Sequence, residues 1–197
     1  MRQRNIKDLD SKLDALKEYL IEKPETIPEK LEVEIGCGKG KFITSLASDN
    51  PDTMFIGIEG QKSVLLRSLE KARDGQLENV RFISMFIDDM TDVFPDESID
   101  RIYLNFSDPW PKARHYKRRL TYRERLKSFI RVLKPDGTIE IKTDNEDLFD
   151  FTLEEIEALG LNILHKDDDL TDAGYTTEYE DKFLKEGRRI RFVRIGK

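Results

Sequence analysis

Leu31-Glu32-Val33-Glu34-Ile35-Gly36-Cys37-Gly38-Lys39-Gly40 is the stretch on which the fold turns. Five residues of strand-like alternation run into three glycines at every second position, and residues 41–48 then carry apolar side chains at helical spacing. A strand that enters a glycine-rich turn and leaves as a helix is the first half of a βαβ unit. Glycines belong there because a backbone without Cβ atoms can turn sharply and approach a ligand closely.

The same alternation continues outward. Residues 54–58, 80–85, 99–105 and 138–142 read as strands, and residues 63–73, 122–133 and 147–159 as the helices between or after them. Pro135-Asp136-Gly137 reads as a turn between helix and strand, and Gly160 as a helix stop. Residues 162–166 and 189–195 are two late strands separated only by a polar loop and a short helix near 180–185, so they are expected to pair antiparallel at the sheet edge. Upstream, Leu9, Leu13, Leu16 and Leu20 predict an amphipathic helix to about Glu22, broken by Pro24 and Pro28. The expectation is an α/β fold: one Rossmann-like, doubly wound domain over 31–197, its sheet mostly parallel with an antiparallel edge strand, behind an N-terminal helical extension over 1–30.

At 197 residues the chain can bury a core without staples, and its single cysteine, Cys37, has no internal partner. No apolar run approaches the ~20 residues of a membrane span, and the N-terminus lacks an apolar signal core, so no membrane contact and a cytoplasmic setting are expected. No Cys/His cluster has metal-ligand spacing, so no metal is expected, and either a monomer or a homodimer is compatible with the sequence. Net charge is −6, but ten bases and one acid between Lys112 and Lys134 make that stretch +9 and leave −15 for the rest. An acidic body with one basic face suits a polyanion bound in one orientation; a solvated helix face is the plainer reading.

Glu59 ends the second strand, where an acid accepts hydrogen bonds from ribose hydroxyls in doubly wound folds. The glycine spacing, Gly36-x-Gly38-x-Gly40, differs from the dinucleotide pattern Gly-x-Gly-x-x-Gly, and Glu34 just before it would repel a pyrophosphate. A carboxylate there suits a cationic amino-acid moiety instead. With Glu34 and Glu59 at neighbouring strand ends, the pattern points to S-adenosylmethionine. After the fourth strand comes Ser107-Asp108-Pro109-Trp110-Pro111-Lys112, stiffened by two prolines and leading into Arg114-His115-Tyr116-Lys117-Arg118-Arg119-Leu120.

That run, with Glu34 to Gly40, Gly57-Ile58-Glu59, Lys142-Thr143-Asp144-Asn145 and Thr177-Glu178-Tyr179-Glu180, closely resembles the bacterial tRNA (guanine-N7)-methyltransferases. The resemblance spans the chain from about Leu31 to its C-terminus. It implies that Glu34, Glu59 and Asp108 contact S-adenosylmethionine, with Asp108 also at the catalytic centre. It implies that Lys112, Asp144, Thr177, Glu178, Tyr179 and Glu180 contact the target nucleotide, and that Arg114, His115, Lys117, Arg118 and Arg119 contact tRNA. Where the family commonly shows an acid near the adenine this chain has Phe86, which leaves stacking, or a shifted acid at Asp88 or Asp89, to hold it. The segment between the N-terminal helix and Leu31 is also shorter than usual for the family. Other readings of the same residues are a methyltransferase for another substrate and a non-catalytic RNA-binding module. Asp144-Asn145 also reads as a helix N-cap and Thr177 to Glu180 as a helix start.

Guanine N7 carries a lone pair and no hydrogen, so it can attack a sulfonium methyl without a strong base. Alignment is the main requirement, worth up to ~7–11 kcal/mol in the best cases. This accounts for a site without a Ser/His/Asp or Cys/His constellation.

Overall fold

The structure, a computed structural model, describes residues 6–171 and 174–197. Seven strands form one sheet in the order β3-β2-β1-β4-β5-β7-β6: β1 Leu31–Ile35, β2 Met54–Ile58, β3 Val80–Ile83, β4 Ile99–Asn105, β5 Leu133–Thr143, β6 Asn162–Asp167 and β7 Arg191–Gly196. The first five run parallel, and β7 lies antiparallel to both β5 and β6, so the two late strands pair antiparallel at one edge as expected. The chain leaves β1 towards β2 and β3 on one side and returns to β4 on the other. The carboxyl ends of β1 and β4 therefore flank the switch point where doubly wound sheets bind ligands.

Helices α1 (Leu9–Asp14), α2 (Lys41–Asp49) and α3 (Lys62–Asp74) pack Leu13, Phe42, Ile43, Leu65 and Leu69 against Phe55, Val80 and Phe82 on one face of the sheet. Helices α4 (Arg123–Val132) and α5 (Glu146–Ala158) cover the other face with Leu126, Phe129, Phe149 and Ile156. Glu155 on α5 ties these two helices together. Its carboxylate accepts from the Arg123 backbone N–H at 2.7 Å and from Nε and Nη2 of Arg123 at 2.9 and 2.8 Å, which supplies the cap that α4 lacks. Helix α6 (Glu178–Lys185) follows the loop after β6.

Two expectations shift. The N-terminal helix ends at Asp14, a 3-10 turn spans Lys17–Tyr19, and Leu20 pairs with Phe82 while the Ile21 N–H donates to the Phe82 carbonyl at 3.0 Å. Edge pairing with β3 thus claims the residues that periodicity assigned to the helix. Pro135-Asp136-Gly137 does not precede β5 but bulges within it: Leu133 pairs with Ile99 and Thr138 with Arg101. Lys134 pins this bulge by donating to Asp100 at 2.8 Å.

Candidate active site

The glycine turn is locked before any ligand is considered. The N–H groups of Gly36 and Cys37 donate to the Ile58 carbonyl at 2.8 and 3.1 Å, and Ser68 Oγ on α3 donates to the Gly38 carbonyl at 2.8 Å. Gly40 opens α2 with φ +80°, and a Cβ there would come within 2.7 Å of Ser68. Both the left-handed backbone and the close approach of α3 require glycine.

Glu34, 1% exposed, lies at the carboxyl end of β1 beside Asn105, the last residue of β4. Asn105 Nδ2 donates to Glu34 Oε1 at 2.9 Å, while Glu34 Oε2 and Asn105 Oδ1, both buried, have no partner among the described residues. Burial pushes the Glu34 carboxyl up to about 8; the Asn105 bond and the Lys142 charge oppose this, and the Glu178 and Glu59 charges add to it. Two neighbouring unpaired acceptors in a negative field form the complement of an ammonium group. Glu59 accepts from the Gly38 N–H at 3.1 Å and the Gln61 N–H at 2.8 Å. Its carboxyl is raised chiefly by burial and further by the charge of Asp108, which brings the third acid of the set into the same field.

Phe86 is 74% exposed, and its ring lies so close over Gly60 that a Cβ there would meet it at 2.4 Å. The two acids downstream are engaged elsewhere. Asp88 pairs with Arg125 at 2.5 Å, and Asp89 accepts from the N–H and hydroxyl of Thr91 at 2.9 and 2.7 Å. This side of the crevice thus presents an open aromatic ring beside Glu59.

Asp108 is exposed on the loop after β4, where two non-glycine residues, Phe106 (φ 52°) and Trp110 (φ 42°), hold left-handed backbone. Such residues cost about 1–3 kcal/mol each and persist only where their surroundings dictate them. Here the Phe106 N–H donates to the Lys142 carbonyl at 2.8 Å. The Phe106 ring packs at 5.7 Å from that of Phe183 on α6, and the Trp110 ring lies between Arg118, 5.0 Å from its centre, and the His115 edge.

Helix α6 is tied by ion pairs to α2, α3 and β5, and a fourth pair joins the residues just past α6 and β5. Lys41 on α2 pairs with Asp181, Lys71 on α3 with Glu178 at 2.5 Å, Lys142 on β5 with Glu180 at 3.3 Å, and Arg188, just past α6, with Asp144 at 2.7 Å. Thr177 and Glu180 form a full capping box, and Glu180 is 0% exposed, so these two serve the helix start, while Glu178 turns to Lys71 on α3 and Tyr179 is exposed. The N-cap of α5 is Asn145, whose Oδ1 accepts from the Leu148 N–H at 2.8 Å, which leaves Asp144 out of the cap.

A family model described as a putative methyltransferase matches residues 28–193. A tRNA (guanine-N(7)-)-methyltransferase of Geobacillus kaustophilus is 44% identical over 96% of this chain and 94% of its own length, and that of Mycoplasmopsis pulmonis is 40% identical over 100% and 98%. This chain belongs to the tRNA (guanine-N(7)-)-methyltransferase family. Solved structures share its fold at lower identity. An antibiotic-related methyltransferase aligns with TM-score 0.59 at 20% identity over 98% of this chain and 95% of its own. A SAM-dependent methyltransferase from Aquifex aeolicus aligns with TM-score 0.56 at 16% identity over 95% and 88%.

Within this family member the +9 stretch divides. Arg123, Arg125, Lys127, Arg131 and Lys134 are paired with Glu155, Asp88, Glu124, Asp96 and Asp100. Arg119 turns inward, its Nε donating to the Pro109 carbonyl at 2.9 Å. Lys112, Arg114, Lys117 and Arg118 remain exposed with no carboxylate partner among the described residues. They lie on or beside the 3-10 segment Ala113–Arg118, with His115, whose Nε2 accepts from Arg114 Nε at 3.2 Å. Asn105 and Arg188 were not anticipated. Asn105 had a sequence signal, since period-two alternation along β4 puts Arg101, Tyr103 and Asn105 on the face of Glu34; Arg188 had none.

Among the described residues no group of three His, Cys, Asp or Glu side chains is placed to hold a metal ion, and no helix is long and apolar enough to cross a membrane.

Proposed function

We propose that this chain transfers the methyl group of S-adenosylmethionine to N7 of a guanine in the variable region of tRNA. The observation that carries the reading is the adjacency, across one short loop, of the crevice of unpaired acceptors at Glu34 and Asn105 and the unpaired cations from Lys112 to Arg118. S-adenosylmethionine, when bound, supplies an electrophilic sulfonium methyl. Glu34 and Asn105 would hold its ammonium group, Glu59 its ribose hydroxyls and Phe86 its adenine, while the turn from Gly36 to Gly40 gives the backbone clearance. The donor set fits, since the orphaned buried acceptors require a cation or a hydrogen-bond donor.

The chain's own residues then have two tasks. Lys112, Arg114, Lys117 and Arg118, with His115, bind RNA phosphates and set orientation without reading sequence. Asp144 accepts from the N1–H and N2 amine of guanine, which selects it over adenine; Asp108 opposes the positive charge that arrives on the purine as N7 is alkylated. Glu178 and Tyr179 face the nucleotide from α6, and Thr177 and Glu180 fix that helix start in place. No residue has to remove a proton before N7 attacks.

The test uses purified protein, unmodified tRNA and methyl-labelled cofactor, followed by borohydride reduction and aniline, which cleaves at N7-methylguanosine. Label incorporation with scission at one variable-region guanine is expected. Incorporation without scission would mean a different acceptor atom, and no incorporation would mean that the chain is not a methyltransferase for tRNA.

A further inference from the structure

We propose that Arg119 is a positioning residue for the Asp108 loop and not one of the phosphate contacts. The inference rests on the reading of Asp108 as the residue at the reacting centre. In sequence Arg119 is one of ten bases between Lys112 and Lys134, and nothing distinguishes it from Arg118. In the structure the two neighbours part. Arg118 is exposed and stacks outside Trp110, whereas Arg119 is partly buried beneath the same loop.

Its guanidinium is engaged along one edge. Nε donates to the Pro109 carbonyl at 2.9 Å, and Nη2 reaches the Trp110 carbonyl at 3.5 Å. The plane lies over the Phe151 ring on α5, with the central carbon 4.4 Å from the ring centre. Its own backbone is held as well, the N–H donating to the Tyr116 carbonyl and the carbonyl accepting from the Tyr122 N–H, each at 3.1 Å.

Pro109 and Trp110 are the two residues immediately after Asp108, and Trp110 has left-handed backbone that a free aromatic residue would abandon. Arg119 therefore ties the strained end of the Asp108 loop to a core helix. A planar fork that bonds carbonyls along one edge and stacks on an aromatic ring is a task for arginine, which lysine's single ammonium cannot reproduce. When chemistry depends on alignment, loosening this tie lowers turnover and leaves RNA affinity alone.

The experiment compares Arg119→Lys, Arg119→Ala, Arg118→Ala and Asp108→Ala with wild type in kcat, KM for tRNA, the slope of log affinity for tRNA against log salt, and thermal midpoint. Arg119→Lys keeps the charge, and about a 10–100-fold fall in kcat is expected, with KM and salt slope unchanged and the midpoint near wild type. Added guanidinium should partly restore Arg119→Ala and do nothing for Arg119→Lys. Arg118→Ala should flatten the salt slope by about 0.7–0.9, which Arg119→Lys should not do. Wild-type kcat in Arg119→Lys together with a flattened slope in Arg119→Ala overturns the proposal and returns Arg119 to the phosphate contacts. Wild-type kcat in Arg119→Lys with an unaltered slope in Arg119→Ala overturns it too. Should Arg119→Ala fail to fold, Arg119→Lys and its kcat decide alone. An active Asp108→Ala would instead refute the reading of Asp108 beneath it, which separates the two failures.

Discussion

Along the face that α4 and α5 cover, β1, β4, β5 and β7 present Val33, Ile35, Ile102, Leu104, Ile139, Ile141, Val193 and Ile195; along the opposite face the same strands present Glu32, Glu34, Arg101, Tyr103, Asn105, Glu140, Lys142 and Arg194. Over β2 and β3 the second face is apolar, and there Phe55, Val80 and Phe82 meet α2 and α3. Its polar rows pair with one another near the amino ends of the strands. Tyr103 donates to Glu32 at 2.7 Å, and Arg194 donates to Glu140 at 2.9 Å. At the carboxyl ends that pairing runs out, and Glu34 and Asn105 keep acceptors without partners. The candidate site is thus the last rung of a polar ladder, and one sheet separates stability on one side from ligand binding on the other.

The largest effect that tests this division is on the apolar side. Phe129→Ala removes a fully buried ring from α4 and should cost about 3–5 kcal/mol, read from the urea midpoint. Turnover per folded molecule should stay near wild type. A large loss of turnover at full folding would show that the two faces are not separable. Asp144→Ala, on the polar side, should do the opposite. Turnover should fall about 10²–10³-fold, the scale for losing a group that stabilises charge or fixes the acceptor, with little change in the urea midpoint. Its Arg188 partner sits on the exposed surface, so breaking that pair is a small loss to the fold. Near-normal methylation of a tRNA transcript by this variant would remove Asp144 from the site.

Glu34→Gln sharpens the comparison because it tests both properties at one residue. The folded carboxyl is raised from 4.5 to about 8, chiefly by burial, so the fold favours its neutral form. Its contribution to stability is therefore fully present below about 4.5 and is lost as pH rises through about 8. A cationic ligand needs the opposite form, so cofactor affinity in wild type should rise with pH across that window, by up to about tenfold per unit. Glu34→Gln keeps the bulk and the Asn105 neighbour but loses the charge. It should flatten both profiles and weaken cofactor binding about 10–100-fold at pH 8, measured by calorimetry across pH. An unchanged affinity profile would mean that Glu34 does not hold the cation.

What was legible in the sequence follows the same two faces. The strands of the parallel sheet and their helices were readable because β1 and the later part of β5 alternate with period two, β2 is a short apolar run, and the helices carry apolar side chains at helical spacing. That Glu34, Glu59 and Asp108 lie near one another was readable because strand ends adjoin in a doubly wound sheet, and the field that links Glu34 to Glu59 and Glu59 to Asp108 agrees. The failures are tertiary. Leu20 lies at helical spacing from Leu16 yet pairs with β3, because an open strand edge outbids a short helix. Pro135 to Gly137 carries a turn signature, but nothing local says that β5 begins before it. The basic stretch was the least legible. Charge along the chain is local, whereas the acids that neutralise Arg123, Arg125, Arg131 and Lys134 come from α5, from the stretch before β4 and from β4 itself.

The smallest effect separates those two kinds of base. Arg118 and Arg131 are both exposed arginines in the +9 stretch, thirteen residues apart, and composition treats them alike. Arg131 already pairs with Asp96 at 2.8 Å on the α4 surface, so binding RNA there would mean giving up a carboxylate to gain a phosphate. Arg118 stacks on Trp110 in the Asp108 loop and has no acid partner among the described residues. Each phosphate that is neutralised adds about 0.7–0.9 to the log–log dependence of tRNA affinity on salt. Arg118→Ala should reduce that slope by about this amount, and Arg131→Ala should leave it at the wild-type value. Equal reductions from both would mean that the basic stretch acts as one surface and that its ion pairs yield to RNA. The division between paired and unpaired cations, drawn from the polar side of the molecule, would then have no bearing on how tRNA lands.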